Sequence, residues 1–282
     1  MTDATAPSTV AEALTAAMAL GIDRLDAQLL LLAALGRAPH DRAWLLAHDT
    51  DAMPDAAWAA LASQLSRRVA GEPVAYLLGT KEFHGLDLQV DARVLVPRPD
   101  TETLVDWALQ CLEGRTAPRV LDLGTGSGAI ALALQHARPD AQVDAVDASA
   151  DALAVAEANA RRLGLRVRFA RAHWLDGAAY GYTVIASNPP YIAADDPHLP
   201  ALQHEPSSAL VAGADGLDDI RQIVQSAPGH LADGGWLLLE HGHDQAPAVR
   251  QLLDTRGFAE VQSRDDLAGI QRCSGGIWRA VK

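Results

Sequence analysis

One run constrains the fold of this chain more than any other: Val120-Leu121-Asp122-Leu123-Gly124-Thr125-Gly126-Ser127-Gly128, followed by apolar Ala129-Ile130-Ala131-Leu132. It reads as a buried strand that enters a glycine-rich turn and then a helix. Glycines let the backbone take positive φ and let a ligand approach where a Cβ would clash. The downstream sequence repeats the alternation. Arg119–Leu123, Gln142–Asp147, Arg166–Ala170, Thr183–Ser187 and Trp236–Glu240 are expected as strands, with Ala259–Arg264 and Gly276–Val281 closing the chain. Gly128–Gln135, Ala150–Leu163 and Asp244–Arg256 are expected as helices, with a further helix over Thr101–Leu112 ahead of the first strand. Such alternation predicts an α/β fold with an open, mostly parallel sheet and a nucleotide cofactor at the carboxyl end of its first strand. The spacing is not the G-x-G-x-x-G of dinucleotide enzymes, so a diphosphate on the helix N-terminus is not demanded. A purely structural turn is the competing reading of the same glycines.

Residues 1–72 read as a small helical module. Ala11–Leu20 ends at Gly21, and Asp23 can cap a second helix with Leu25, Leu29, Leu32 and Leu35 at helical spacing before Gly36. Arg42–Ala47 is a short third helix. The fourth begins near Pro54 and carries Trp58, Leu61, Leu65 and Val69 on one face before Gly71. No catalytic constellation occurs there, so a docking or cap role is expected. Residues 73–98 change character: Val74–Leu78, Lys81–His84 and Leu86–Val90 look extended, with Gly79 and Gly85 between them, as in a β-hairpin linker. The expected division is 1–72, 73–98 and 99–282.

Charge and composition exclude several function classes. The 282 residues carry a net charge of −13, and acidic side chains outnumber basic ones in residues 1–72 (9 against 5) and 99–282 (24 against 15). No segment offers the basic stripe that stable double-stranded nucleic acid binding requires. The two cysteines, Cys111 and Cys273, lie far apart. That excludes a disulfide framework and a cysteine zinc site, and fits a reducing cytoplasm. The closest histidine pair, His241 and His243, has no neighbouring metal-type ligands, so no metal is expected. Apolar runs such as Leu29–Leu35 fall far short of the ~18 residues of a membrane span. The N-terminus has no basic stretch followed by an apolar block, so no secretory signal is expected.

Two further motifs define the chemistry. Asp147 ends the second expected strand, 19 residues beyond Gly128. An acid there is placed to accept both hydroxyls of a ribose, a group common to NAD and S-adenosylmethionine. Capping the following helix is its structural alternative. The motif that chooses is Asn188-Pro189-Pro190-Tyr191, directly after the buried run Val184-Ile185-Ala186-Ser187. The prolines fix two φ angles, remove two N–H donors and hold the preceding residues extended. A planar –NH2 group has two hydrogens, which the Asn188 side-chain oxygen and the Pro189 carbonyl can accept while Tyr191 stacks on its plane. Amide and aromatic amines are poor nucleophiles because their lone pair is delocalised, and fixed acceptors raise electron density on the nitrogen.

Taken together, these motifs resemble the amino-methyltransferases that use S-adenosylmethionine. More narrowly, the chain resembles the peptide-chain release-factor glutamine methyltransferases, the HemK/PrmC group. The likeness includes Gly71-Glu72-Pro73-Val74-Ala75-Tyr76, Lys81-Glu82-Phe83, Pro97-Arg98-Pro99-Asp100-Thr101-Glu102, Asp196-Pro197-His198-Leu199, Asp215-Gly216-Leu217 and Leu238-Leu239-Glu240-His241-Gly242. The resemblance implies a Rossmann-like, seven-stranded class I methyltransferase domain with a small N-terminal helical domain and a β-hairpin linker. It implies S-adenosylmethionine contacts at Gly124, Thr125, Gly126, Ser127, Gly128, Asp147, Trp174 and Asn188, with S-adenosylhomocysteine as product. It places the substrate glutamine on Asn188, Pro189, Pro190 and Tyr191, with Asn188, Pro189 and Tyr191 catalytic.

The implied partner is a peptide chain release factor, methylated in its Gly-Gly-Gln loop by a monomeric cytoplasmic enzyme. Two positions depart from the pattern: His173 stands where an acid usually precedes the tryptophan, and His204 stands where an aromatic usually precedes Glu-Pro. A ribosomal-protein glutamine methyltransferase, a DNA adenine-N6 methyltransferase and a non-catalytic S-adenosylmethionine-binding protein are the alternatives. The run Arg98–Glu102, the acidic charge balance and the intact Asn188–Tyr191 set, respectively, count against them.

Overall fold

The computed structural model describes residues 6–280, and the chain divides after Thr80 into two compact units. The first is a bundle of α1 (Val10–Ala19), α2 (Arg24–Ala34), α3 (Arg42–Ala47), α4 (Asp55–Val69) and α5 (Val74–Leu78). Thr9 and Asp23 cap the first two helices by accepting the Glu12 and Leu25 amides at 3.2 and 2.8 Å. Leu30, Leu31, Leu32, Leu45, Leu61 and Leu65 form the bundle core. Two details of the expected apolar faces fail. Leu25 is 46% exposed and Val69 is 57% exposed, because α2 turns Ala27, Leu30 and Leu31 inward and α4 closes its buried stripe at Leu65.

Val74–Leu78 is helix rather than the expected extended piece. A five-residue apolar run has no periodicity that separates strand from helix. Here Pro73 starts the turn, Gly79 closes it, and Val74, Leu77 and Leu78 pack on the helical core. The other two pieces do pair as a hairpin, β1 (Thr80–Phe83) with β2 (Leu86–Gln89).

The second unit alternates as the sequence predicts. A tight turn over Pro99–Thr101 leads into α6 (Glu102–Cys111), followed by β3 (Arg119–Leu123), α7 (Ala129–Ala137), β4 (Gln142–Asp147), α8 (Ala150–Leu163), β5 (Val167–Arg171) and β6 (Tyr182–Ser187). Next come α9 (Asp218–Ser226), β7 (Leu231–Glu240), α10 (Ala246–Arg256), β8 (Ala259–Asp265) and β9 (Gln271–Trp278). The seven-stranded sheet has the order β5-β4-β3-β6-β7-β9-β8, with parallel pairing from β5 to β7 and antiparallel pairing of β9 with β7 and β8. Alternate residues feed two cores: Val120, Val184 and Leu238 pack beside Trp107, whereas Leu121, Ile185 and Leu239 pack beside Ile220 and Leu253. Both sheet faces are therefore covered, as parallel strands require.

Strand limits at the closing edge differ from expectation. The last strand begins at Gln271, five residues before the expected Gly276, and the predicted end at Val281 lies outside the described residues. Gly275, outside the expected strand, and Gly276, its expected first residue, both lie inside the observed one. A Cβ at Gly275 would sit 2.6 Å from the Leu237 carbonyl oxygen, and one at Gly276 would sit 2.9 Å from the Phe258 Cβ.

Asn159 on α8 fastens the glycine turn to the hairpin. Its amide donates to the Ser127 and Gln89 carbonyls, both at 3.0 Å, and its oxygen accepts the Gln89 amide at 2.7 Å. The residue is fully buried, so removing it leaves the Ser127 carbonyl unpaired in the interior and takes the partner from two part-buried backbone groups of Gln89. Asn159→Ala is expected to lower the unfolding free energy by about 2–4 kcal/mol in urea titrations, the cost of leaving buried partners unsatisfied.

Candidate active site

Where the strand order reverses around β3, the loops after β3, β4 and β6 converge, which is the place where open α/β sheets bind ligands. A cleft of about 330 Å³ lies there, in the lower part of the ~300–1,000 Å³ range of small-molecule sites. Gly124, Gly126, Asp147, Trp174, Asn188 and Pro190 line it. Its other side is closed by Arg93, Val94 and Leu95 and by Pro206, Ser208 and Ala209.

The glycine turn is built from below. The Gly124 and Thr125 amides both donate to the Val146 carbonyl at 2.9 Å, tying the turn to the end of β4. Gly124, Gly126 and Gly128 all have positive φ, at 70, 55 and 87°. Gly128 also meets a packing limit, since a Cβ there would lie 2.9 Å from Leu132 Cδ1 and 3.3 Å from Ala156. Thr125, Ser127 and Gly128 do not form the cleft wall. Thr125 is buried and donates its hydroxyl to Asp122 at 2.6 Å, and the Ser127 carbonyl is held by Asn159.

Asp147 accepts the Gly126 amide at 2.9 Å through one oxygen and the Ser149 amide at 2.8 Å through the other. The capping of α8 falls to Ser149, which accepts the Ala152 amide at 3.2 Å. Both Asp147 oxygens keep a second lone pair for a ligand hydroxyl. Trp174 holds positive φ and lies over Gly124, where a Cβ would come within 3.2 Å of its ring. Its indole N–H donates to Asp219 at 3.1 Å. Asp219 itself lines the cleft, and burial raises its pKa. His173 also lines the cleft, so the carboxylate beside the tryptophan comes from α9 rather than from position 173.

A second, smaller cavity of about 140 Å³ shares Asn188, Leu95 and Ala209 with the first and is otherwise lined by Arg98, Tyr191, Ile192, Leu202 and Leu210. Asn188 is thus on the wall between two compartments. Its Nδ2 donates to the Thr101 hydroxyl at 3.3 Å, while its Oδ1 is buried without a protein partner. Burial pushes the Tyr191 hydroxyl pKa up, with the Glu240 carboxyl adding to the shift, so this side chain stays neutral. Pro189 is buried and lies on the wall of neither cavity.

The proline loop is clamped at three points. The Ile192 amide donates to the Leu210 carbonyl at 2.8 Å, and Gln245 Nε2 donates to the Tyr191 carbonyl at 3.0 Å. Gly216 must lack a side chain, because its Cβ would fall 2.2 Å from that same carbonyl oxygen.

Comparisons with known proteins agree with this architecture. The family model "PrmC N-terminal domain" matches residues 8–79 and "Methyltransferase small domain" matches residues 101–205. A release factor glutamine methyltransferase of Bordetella pertussis is 54% identical over 260 residues, 91% of this chain and 95% of its own length. One from Pseudomonas aeruginosa is 52% identical over 261 residues, 90% of this chain and 92% of its own. The chain belongs to the release factor glutamine methyltransferase family. At the level of fold, a T. thermophilus 16S rRNA N2 G1207 methyltransferase solved with AdoMet and guanosine aligns at a TM-score of 0.53 and 20% identity, covering 71% of this chain and 50% of that one.

In this methyltransferase several site residues carry no motif of their own. Asp219 sits on α9, which the sequence reading missed, although Ile220, Ile223 and Val224 have the i, i+3, i+4 spacing of a buried helix face. Glu205 is a second omission. It is 7% exposed, accepts the Val96 amide at 3.0 Å and pairs with the Arg98 guanidinium, so it joins two walls of the site and aims Arg98 at the smaller cavity. His241 has a structural role here, bonding the Gly242 carbonyl at 2.9 Å and the Ser274 hydroxyl at 2.7 Å.

Two acids lie wholly inside the sheet at the site. Burial pushes the Asp122 pKa up to about 7, partly offset by the Thr125 and Ala131 hydrogen bonds. Burial likewise pushes Glu240 up to about 7. In the unfolded chain both ionise near pH 4. The native state therefore binds more protons between about pH 4 and 7, and stability is lost as pH rises through that window. Asp122→Asn keeps an acceptor for Thr125 but cannot ionise. Urea unfolding at pH 5 and pH 8 is expected to show a smaller stability gap for this variant than for the parent protein.

Proposed function

We propose that the chain transfers a methyl group from S-adenosylmethionine to the side-chain amide nitrogen of the glutamine in the Gly-Gly-Gln loop of a peptide chain release factor. The observation that carries this reading is the position of Asn188, an orphaned buried acceptor on the wall between the two cavities. The names of the 54% and 52% identical relatives support it independently.

The larger cleft fits the cofactor. Gly124 and Gly126 let a ligand lie against backbone, Asp147 offers two acceptors to ribose hydroxyls, and Trp174 supplies an aromatic face. Bound there, S-adenosylmethionine supplies a methyl group on a cationic sulfur and leaves as S-adenosylhomocysteine. The smaller cavity takes the glutamine side chain. Asn188 Oδ1 accepts one of its N–H groups and Tyr191 covers its plane; the Pro189 carbonyl, which lines neither cavity, is assigned the second N–H as the next acceptor along the same loop. Both acceptors draw on the hydrogens and leave electron density on nitrogen as it becomes positive, and the surplus proton is lost from that nitrogen during or after transfer to give the neutral N-methyl amide. The contribution of the chain is therefore positioning and fixed dipoles. No protein nucleophile is needed. Among the described residues no group of three metal-type ligands occurs.

Residues 1–72, with residues 73–98, are assigned to hold the folded release factor, because a pocket for a glutamine side chain gives no selectivity among proteins and residues 1–72 line neither cavity. The free thiols of Cys111 and Cys273 accord with a cytoplasmic enzyme, and we assign it a monomeric state.

Asn188→Ala is expected to lower kcat by about 10²–10³, the range for one preorganised polar contact, measured with labelled S-adenosylmethionine, purified release factor and peptide mapping of the label. A folded Asn188→Ala enzyme with full activity removes the acceptor role. In calorimetry, Asp147→Ala is expected to weaken S-adenosylmethionine binding, and the parent protein is expected to show none for NAD. The opposite ligand preference overturns the cofactor assignment.

A further inference from the structure

Two sequence runs have no part in the chemistry described so far: Pro97–Glu102 and Leu238–Gly242. The structure brings one residue of each beneath Asn188. In the register of β6 with β7, Ser187 pairs with Leu239, so Asn188 and Glu240 leave the sheet side by side. Thr101 ends the turn that starts α6 and reaches the same point from the other side of Asn188. Glu240 is 1% exposed and Thr101 is 4% exposed.

An asparagine amide has two ends of nearly equal shape and opposite polarity. The proposed reaction accepts only one orientation, because a reversed amide would set an –NH2 group against the –NH2 of the substrate glutamine. The hydrogen bonds beneath Asn188 choose the orientation. Glu240 beside it carries a buried Oε2 with no hydrogen-bond partner, and the Thr101 hydroxyl favours the ionised carboxylate, so the single Thr101 hydrogen is assigned to Glu240. The Thr101 oxygen is thereby left as an acceptor, and Asn188 Nδ2 donates to it at 3.3 Å. The Asn188 amide, beside Glu240 in the β6–β7 register, likewise favours the ionised carboxylate. With Glu240 ionised, both groups placed against this end of the amide are thus acceptors. A reversed Asn188 would press its oxygen against them, unpaired and away from water. In the observed orientation Asn188 Oδ1 is the orphan instead, and it belongs to the side chain that lines both cavities. Asp100 and Arg272, the charged groups that Glu240 senses, approach each other at 3.6 Å. Arg272 also pairs with Asp266 at 3.2 Å.

We propose that Glu240 and Thr101 are positioning residues that fix the Asn188 amide with its oxygen toward the substrate glutamine. This rests on the glutamine-methylation reading. Glu240 polarises the Thr101 hydroxyl, Thr101 accepts from Nδ2, and the oriented chain strengthens each bond in it. Neither residue touches substrate, so the loss on breaking the chain falls on turnover and not on affinity.

Steady-state methylation of purified release factor by the full-length enzyme tests this, with unfolding midpoints checked alongside. The unaltered enzyme comes first: no methylation overturns the functional reading and this inference with it. Given activity, Thr101→Val, which keeps the shape and removes the hydroxyl, is expected to lower kcat by about 10–100-fold, below the loss for a direct contact. KM for S-adenosylmethionine and for release factor stays within about twofold, as expected when ground-state binding is untouched. Thr101→Ser recovers most of that turnover. Glu240→Gln lowers kcat similarly, and the double variant is no slower than the slower single, as expected for residues acting in one chain. If Glu240→Gln does not fold, the threonine pair alone decides. Wild-type kcat in a folded Thr101→Val enzyme overturns the inference, as does a serine variant as slow as the valine variant or a loss confined to KM.

Discussion

The parallel pairing of β3 with β4 on one side and β6 on the other is the constraint on which the site depends. It sets Leu123 opposite both Val146 and Ser187, so three strands end at one level and their loops emerge together. The chain first steps outward from β3 to β5 and then returns to the far side of β3 with β6. That reversal opens a crevice between neighbouring loops, which no single loop could form. Backbone hydrogen bonds hold the level: the Gly124 and Thr125 amides share the Val146 carbonyl, and the Ser187 hydroxyl donates to the Leu123 carbonyl at 2.8 Å.

Rigidity around the crevice comes from buried polar groups. Asp122 holds the glycine turn through Thr125 and the first turn of α7 through the Ala131 amide. Asn159 ties the turn to the hairpin, Gln245 ties the proline loop to the start of α10, and Glu205 ties that side of the site to the segment before α6. A polar side chain that bonds two separate segments, as donor or acceptor, loses much if either moves, so each such residue converts a loop into a fixed wall. The reaction needs such walls, since most of what the protein supplies is the placement of two reactants.

Much of the second unit was legible because its signals are local. A run such as Val184-Ile185-Ala186-Ser187 is a strand wherever it is buried, and the double proline after it admits few backbone shapes. Asp147 and Asn188 could be named because the first ends such a strand and the second immediately follows one. Val74–Leu78 failed for the opposite reason: five apolar residues carry no period, and the helical bundle decided their state. Gly275 was left outside the expected last strand because the close approach of Leu237, which excludes a side chain there, is not visible in local sequence.

The sequence alone determined the strand–turn–helix unit, the acid at the end of β4 and the stiff Asn-Pro-Pro-Tyr loop, because each is specified by residues within a few positions of one another. Only the tertiary structure decided which acceptors surround the Asn188 amide, which acid anchors Trp174 and which carboxylate aims Arg98. Thr101, Asn188 and Glu240 are far apart in the chain and meet because β6 and β7 pair in one register and α6 packs on the same sheet. A hydrogen bond depends on a few tenths of an ångström and on the direction of one hydrogen. Distances of that kind arise when separated segments are packed together.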